Sequence, residues 1–290
     1  MSVNVNAIGA SSGPVGRRWT ADDALLYALA VGACADGPAS DELKFTTENT
    51  AGTPQQVLPT FVVIPAMGVG NLAAQFGDFD RAKLVHAEQS LELAGPLPVA
   101  AEVTAESRIA GVWDKGSGAV IETATTLHDV STGALMAITC GKVFIRGEGG
   151  WGGDRGPAAP PPPPSRQPDH AVSYQTLPAQ ALIYRLTGDR NPLHSDPVFA
   201  ARGGFPRPIL HGLCTFGFTG RALLHKFCGS DPARFRSMSG RFSKPVLPGD
   251  TLTVCMWRIG DGEAAFRTMR GDDVVLDGGR LTFAAGDSRQ

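Results

Sequence analysis

An acid, an amide and an imidazole lie within six positions of one another in this sequence, as Asp189, Asn191 and His194. On a regular helix, Asp189 and His194 would be separated by about 140° around the axis. Pro192 argues against a helix here, because it lacks an amide donor and disfavours the α conformation of the preceding residue. The segment is therefore predicted to be a bent loop that turns both side chains toward one point, as proton transfer with a single water molecule would require.

A helix predicted over residues 211–228 follows this loop, and Gly212 lies in its first turn. The N–H groups of a first turn have no acceptor within the helix, and the helix dipole makes that end positive. The Gly212 N–H is thus a candidate donor to a carbonyl oxygen that gains negative charge during a reaction. The alternative is that this glycine only allows the chain to turn into the helix. We interpret the neighbouring His211 as structural.

The composition excludes several classes of protein. Of the 290 residues, 42% are hydrophobic and 19% are charged, and the formal net charge is −2. These values are typical of a soluble globular protein and give no electrostatic basis for binding nucleic acid. The five cysteines are scattered without a CxxC pair, which favours reduced thiols. No apolar run is long enough for a bilayer and no secretory signal is present, so we expect a cytoplasmic protein without a membrane partner.

A segment rich in glycine and proline, residues 147–169, separates an N-terminal part, residues 1–146, from a C-terminal part, residues 170–290. It contains five consecutive prolines, Pro160–Pro164. Such a run is extended and semi-rigid, and the preceding glycines are flexible. We interpret the segment as a linker; the alternative is a ligand for an SH3-type domain.

Each part is predicted to contain a helix followed by antiparallel strands, which is an α+β pattern. Thr20 and Asp23 form a capping box that begins a helix from Ala21 to about Ala33. Gly217 and Gly220 are poor helix formers, and their presence in the second helix indicates that another element packs close to its backbone. The predicted strands are Leu84–Leu93, Val99–Trp113, Ala119–Asp129 and Leu135–Arg146, then Phe235–Lys244, Thr251–Ile259, Ala264–Met269 and Val274–Ala284.

Three segments carry a resemblance to a known family: Gly188-Asp189-Arg190-Asn191-Pro192-Leu193-His194, Pro208-Ile209-Leu210-His211-Gly212-Leu213, and His86-Ala87-Glu88-Gln89. Over nearly its whole length the sequence resembles the MaoC-like, (R)-specific enoyl-CoA hydratases of the hydratase 2 type, as in the hydratase region of peroxisomal multifunctional enzyme type 2. The resemblance implies a double hot-dog fold, with two long helices each wrapped by an antiparallel sheet and a catalytic loop in the second copy only. Ala87 departs from the glycine usual at that position, which alters the expected fit of the CoA moiety.

The activity that the resemblance implies is that of a hydro-lyase, which adds water in syn fashion to trans-2-enoyl-CoA and gives (3R)-hydroxyacyl-CoA, or catalyses the reverse dehydration. Asp189 and His194 would act on the water, Asn191 would hold their loop, and Gly212 would bind the thioester oxygen. The CoA thioester is itself the activated group, so no cofactor is expected. No metal is expected either, because His194-Ser195-Asp196 lacks a third ligand at a useful spacing. The residues expected to contact the substrate are His86, Ala87, Lys115, Arg190, Pro192, Leu193 and Phe242.

Two other functions remain open from the sequence. One is a hot-dog thioesterase, which would release free CoA, and the other is a non-catalytic acyl-CoA-binding subunit.

Because the first part lacks the catalytic loop, its groove is expected to accept medium, long or branched acyl groups, including sterol side chains, in β-oxidation. We also expect a homodimer.

Overall fold

The structure is a computed structural model that describes residues 2–38 and 41–285. Its strands are β1 (Ser2–Val3), β2 (Val15–Trp19), β3 (Gly77–Asp78), β4 (Leu84–Leu93), β5 (Ala101–Asp114), β6 (Gly118–Asp129), β7 (Leu135–Arg146), β8 (His170–Gln175), β9 (Phe235–Phe242), β10 (Thr251–Gly260), β11 (Glu263–Arg270) and β12 (Asp273–Phe283). Its α-helices are α1 (Ala21–Ala30), α2 (Leu43–Thr46), α3 (Val63–Ala66), α4 (Gln180–Tyr184), α5 (Pro197–Arg202) and α6 (Gly212–Cys228). Short 3₁₀ helices cover Val5–Ala7, Pro59–Val62, Val69–Phe76, Arg81–Lys83, Arg185–Thr187, Pro192–His194 and Pro232–Arg234.

Ten strands form one antiparallel sheet in the order β2-β5-β6-β7-β4-β9-β12-β11-β10-β8. Numbered along the chain within each half of the sheet, the strands follow the order 1-3-4-5-2 from either edge to the centre. The halves meet where β4 pairs with β9, with Glu88 opposite Arg241. The chain thus contains the same arrangement twice, and the expected α+β double hot-dog fold is confirmed.

Helix α6 is the long central helix of the second copy and is buried on almost every side. A Cβ added at Gly217 would lie 2.4 Å from Val31 Cγ1 and 2.8 Å from Tyr27 Oη, and one added at Gly220 would lie 2.4 Å from Thr60 Cγ2. Neighbouring elements from the first part therefore approach the α6 backbone at these positions, as predicted. Only glycine leaves room for this packing.

Among the described residues of the first copy, no comparable straight helix occupies the equivalent position. The 3₁₀ helix Pro59–Val62 continues into α3, and the chain then bends into the 3₁₀ helix Val69–Phe76. Gly68, Gly70 and Asn71 adopt left-handed conformations, with φ of 64°, 63° and 50°. No single helix among the described residues is long and apolar enough to cross a membrane; the two pieces Pro59–Ala66 and Val69–Phe76 satisfy that test only as a pair bent by 67°.

Helix α1 begins as predicted and ends earlier than predicted. The capping box is present, since the Thr20 hydroxyl accepts from the Asp23 N–H at 3.3 Å and the Asp23 carboxylate accepts from the Thr20 N–H at 2.8 Å. The helix ends at Ala30 rather than near Ala33, because Gly32 has a φ of 78°. The apolar residues beyond Ala30 pack in the core without being helical.

The chain between β7 and β8 is hydrogen-bonded to strands in both halves of the sheet. The Asp114 carboxylate accepts hydrogen bonds from the backbone N–H groups of Gly150 and Gly152, at 2.8 and 2.7 Å. These bonds and one from the Gly116 N–H lower the pKa of Asp114 to about 2. Further along, Arg280 donates to the Pro161 carbonyl. Buried Asp114 thus anchors the backbone of the glycine-rich stretch, and the flexibility expected of that stretch stays a prediction.

Candidate active site

The loop between α4 and α5 is held in a bend by its own side chains. Asp189 Oδ1 accepts from the Asn191 N–H at 3.2 Å, and Asn191 Oδ1 accepts from the Leu193 N–H at 3.0 Å. The second bond caps the 3₁₀ helix Pro192–His194. Gly188, with a φ of 134°, lets the chain turn into the loop. The bend around Pro192 was predicted, and Asn191 makes the loop contacts proposed for it.

The loop brings Asp189 and His194 together beside a third group, His211. One side-chain ligand atom from each of these residues lies within 4.8 Å of those from the other two. The His194 and His211 rings stack with centroids 3.8 Å apart and planes 29° from parallel. The predicted convergence of the acid and the imidazole is confirmed, and the buried His211 ring stacks on His194 beside them.

His194 is arranged as a neutral base. Its Nδ1 lies 2.9 Å from the Ile209 carbonyl oxygen, so Nδ1 carries the proton that is donated to that oxygen. The lone pair is therefore on Nε2. Burial lowers the pKa of His194 below its ordinary value, which keeps the ring uncharged at neutral pH. A histidine in this state can accept a proton at Nε2.

His211 is completely buried, and its Nε2–H donates to the backbone carbonyl of Asp189 at 3.2 Å. Its Nδ1 has no hydrogen-bond partner within the described part of the chain. Burial, and then the proximity of His194, lower the pKa of His211 to about 4, so this ring is neutral as well. Two imidazole lone pairs and a carboxylate could also bind a cation, and the expectation that no metal is required stays a prediction.

Gly212 begins α6, and no acceptor for its N–H occurs among the hydrogen bonds of the described residues. The Phe242 ring packs against it; a Cβ at position 212 would lie 3.2 Å from Phe242 Cε1. Phe242 in turn contacts His86, with ring centroids 4.9 Å apart. The two halves therefore meet at the start of α6.

A bulge at Ala87 explains why His86 and Gln89 lie on the same face of β4. The pairing with β7 runs from His86 opposite Val143 directly to Glu88 opposite Lys142, so Ala87 is the extra residue. In a regular strand, residues three apart would point to opposite faces. The His86 Nε2–H donates to the Glu88 carbonyl at 3.0 Å, and burial lowers the pKa of His86.

A cleft of about 440 Å³ extends from Asp189 into the first copy. Its roof comes from α3 and the bent segment after it, and its floor comes from the strands β4 to β7. Sequence reasoning identified only His86 and Asp189 among its lining residues. The others are Val63, Ala66, Met67, Gly68, Val69, Asn71, Leu72, Ala73, Phe76, Gln89, Ser107, Thr123, Thr125, Thr139, Gly141, Val143 and Leu213. The alternating pattern of β6 was the available signal for Thr123 and Thr125.

Several residues expected to contact substrate lie outside this cleft. Arg190 and Pro192 are exposed on the catalytic loop, and Leu193 is half-buried beside it. The Lys115 ammonium group donates a hydrogen bond to the Arg155 carbonyl of the linker. Their contact with the substrate remains a prediction, and Lys115 would first have to leave the linker.

The sequence matches two protein families side by side. Residues 18–147 match the MFE-2 hydratase 2 N-terminal domain, and residues 160–276 match the MaoC-like domain. It is 46% identical to the 3-hydroxyacyl-thioester dehydratase Y of Mycobacterium tuberculosis, over 99% of this chain and 100% of that protein. The chain belongs to the MaoC-like hydratase 2 family. Another family relative, the peroxisomal enoyl-CoA hydratase 2 of Arabidopsis thaliana, is 41% identical over 81% of this chain and 80% of its own length.

A solved structure of the same kind matches this chain over nearly its whole length. A MaoC-like dehydratase from Phytophthora capsici superposes with a TM-score of 0.88 and 32% identity, over 99% of this chain and 100% of that one. The resemblance that the sequence motifs indicated is thereby confirmed.

Proposed function

We propose that this hydratase 2 family member is an (R)-specific 2-enoyl-CoA hydratase, which interconverts trans-2-enoyl-CoA and (3R)-hydroxyacyl-CoA. The observation that carries the proposal is the position of Asp189 and the neutral His194 within 4.8 Å of each other, with Asp189 at one end of a cleft that extends into the first copy. Relatives named as an enoyl-CoA hydratase and a 3-hydroxyacyl-thioester dehydratase support the same reaction.

The water that adds to the double bond would lie between the two catalytic side chains. His194 Nε2 accepts one proton of this water as its oxygen bonds to C3 of the substrate. Asp189 accepts a hydrogen bond from the other O–H and so orients the attack. The imidazolium then returns the proton to C2 from the same side, which gives syn addition and leaves His194 neutral again.

Negative charge that develops on the thioester oxygen requires a donor. The Gly212 N–H is suited to this role, because it lies at the positive end of the 17-residue helix α6. A donor of this kind commonly contributes ~3 kcal/mol to transition-state stabilisation. The CoA thioester supplies the activated carbonyl, so the reaction as written needs no further cofactor.

The cleft is the proposed site of the acyl group. Its volume and its apolar roof suit a medium, long or branched chain better than a short one. The CoA moiety would leave along the catalytic loop, where Arg190 is exposed. A homodimer and a cytoplasmic location remain proposals from the sequence, and light scattering of the purified protein tests the first.

The test is hydration of a medium-chain trans-2-enoyl-CoA by the wild type and by Asp189→Asn and His194→Gln. We expect the wild type to remove the ultraviolet absorbance of the conjugated thioester and to form the (3R) product, as read with a dehydrogenase specific for that enantiomer. Both variants should fold and bind but lose most turnover. Release of free thiol at the rate of absorbance loss would favour a thioesterase, and near-normal turnover by either variant would contradict the assigned roles.

A further inference from the structure

The floor of the cleft carries a row of hydroxyl groups. An unsubstituted acyl chain would pack better against apolar side chains at this place. Ser107, Thr125 and Thr139 lie directly opposite one another on β5, β6 and β7, so their side chains share one face of the sheet. All three are buried and line the cleft. The roof of the same cleft is apolar and includes Leu72 and Phe76.

The protein does not use all the hydrogen-bonding capacity of this row. Ser107 Oγ and Thr125 Oγ1 are 2.6 Å apart and bond to each other. That bond uses one of the two hydroxyl protons and leaves the other for a ligand. The Thr139 hydroxyl makes no hydrogen bond within the part of the chain that the structure describes. The row therefore offers two spare O–H donors, and both face the cleft.

The row lies away from the proposed chemistry. Val143 of β7 is opposite His86, and Thr139 is four residues further along that strand, which corresponds to about 13 Å. Thr125 and Ser107 lie one and two strands beyond Thr139, displaced sideways from it by about 5 and 10 Å. A short acyl group that reacts at Asp189 ends before the row, whereas a longer one reaches it.

We propose that the cleft selects 2-enoyl thioesters whose acyl group carries an oxygen, as a hydroxyl or a ketone, on the part distal to the double bond. This inference rests on the proposed hydratase function and specifies its substrate class. An unsubstituted chain displaces water from the hydroxyls without replacing the hydrogen bonds, which costs binding free energy. An oxygen on the acyl chain accepts hydrogen bonds from the spare O–H donors and removes that cost, while the rest of the acyl chain packs against the roof of the cleft.

The experiment compares a medium-chain trans-2-enoyl-CoA with its counterpart that carries a terminal hydroxyl, each over a series of chain lengths. The measured quantity is the ratio of their kcat/KM values. For the wild type, the hydroxylated substrate should be preferred at the chain lengths that reach Thr139, and the preference should vanish for the shortest pair. In Thr139→Val, the ratio should fall about tenfold, because the variant loses a donor and keeps the shape of the side chain.

Thr126→Val is the matched control, since Thr126 is adjacent to Thr125 on the opposite face of β6 and does not line the cleft. Its ratio should equal that of the wild type. A wild-type ratio at or below one at every chain length would overturn the inference, as would an equal change of the ratio in Thr126→Val. Failure of the hydratase function itself is a separate outcome, because the wild type would then hydrate neither substrate.

Discussion

Replacement of His211 by phenylalanine tests how the catalytic loop is held. The imidazole is fully buried, stacks on His194 and donates to the Asp189 carbonyl. Phenylalanine supplies an aromatic ring that is one atom larger and has neither nitrogen. Loss of the donor leaves the carbonyl unpaired, at a cost of about 1–3 kcal/mol, and loss of the unpartnered Nδ1 relieves a burial penalty of similar size. The free energy of unfolding should therefore change by less than about 1 kcal/mol.

The catalytic rate should respond more strongly than stability does. The lost hydrogen bond contributes ~1 kcal/mol to the stability of the bent loop conformation. Its loss misplaces Asp189, so kcat should fall about five- to tenfold. KM should change little, because the cleft is untouched. Initial rates from the loss of thioester absorbance and calorimetric melting temperatures measure the two effects on the same samples.

Tyr184→Phe is the control for that experiment. Its hydroxyl is also buried without a partner among the described residues, and its ring lies 4.9 Å from His211. Since Tyr184 makes no bond to the loop through this hydroxyl, the variant should keep its kcat. The anchoring role would be refuted by an unchanged kcat in His211→Phe, or by an equal loss in Tyr184→Phe.

Three further predictions follow from the same geometry. Because burial lowers the pKa of His194, the fall of kcat/KM toward acid, as Nε2 takes up a proton, should have its midpoint below the ordinary histidine value of about 6.5; a pH profile that rises toward acid would contradict the role of a neutral base. Dialysis against a chelator should leave kcat unchanged, whereas a loss that a divalent cation restores would show that Asp189, His194 and His211 bind metal. Gly217→Ala should lower the free energy of unfolding by about 1–3 kcal/mol through overpacking against Val31. The double variant with Val31→Ala should recover part of that loss in denaturant titrations, and no recovery would place the clash elsewhere.

The parts of the site that could be predicted are those encoded by neighbouring residues. Asp189, Asn191 and His194 fall within one short loop, and Pro192 excludes the helix that would separate them. The close packing on α6 could be inferred for a similar reason. A glycine in a helix interior lowers the stability of the helix, so its presence indicates that another element packs against the backbone there.

The cleft could not be predicted in the same way. Its roof consists of short 3₁₀ pieces joined through Gly68, Gly70 and Asn71, which leave no periodic pattern in the sequence. Its floor depends on the bulge at Ala87, a one-residue change of register that only the pairing of β4 with β7 reveals. Lys115 was interpreted from the resemblance alone, and the path of the linker that engages it is set by contacts distant in sequence.

Because β4 and β9 belong to one chain, a mutation can change one copy of the fold without changing the other. In a symmetric dimer of identical hot-dog subunits, every substitution occurs in both copies, so a change that widens one groove would widen the other and disturb both catalytic loops. Here each copy is encoded separately. The first copy could therefore exchange its central helix for a bent roof and a hydroxyl-lined floor while α6 of the second stayed straight and tightly packed. Covalent duplication thus released the two copies from the requirement to remain alike.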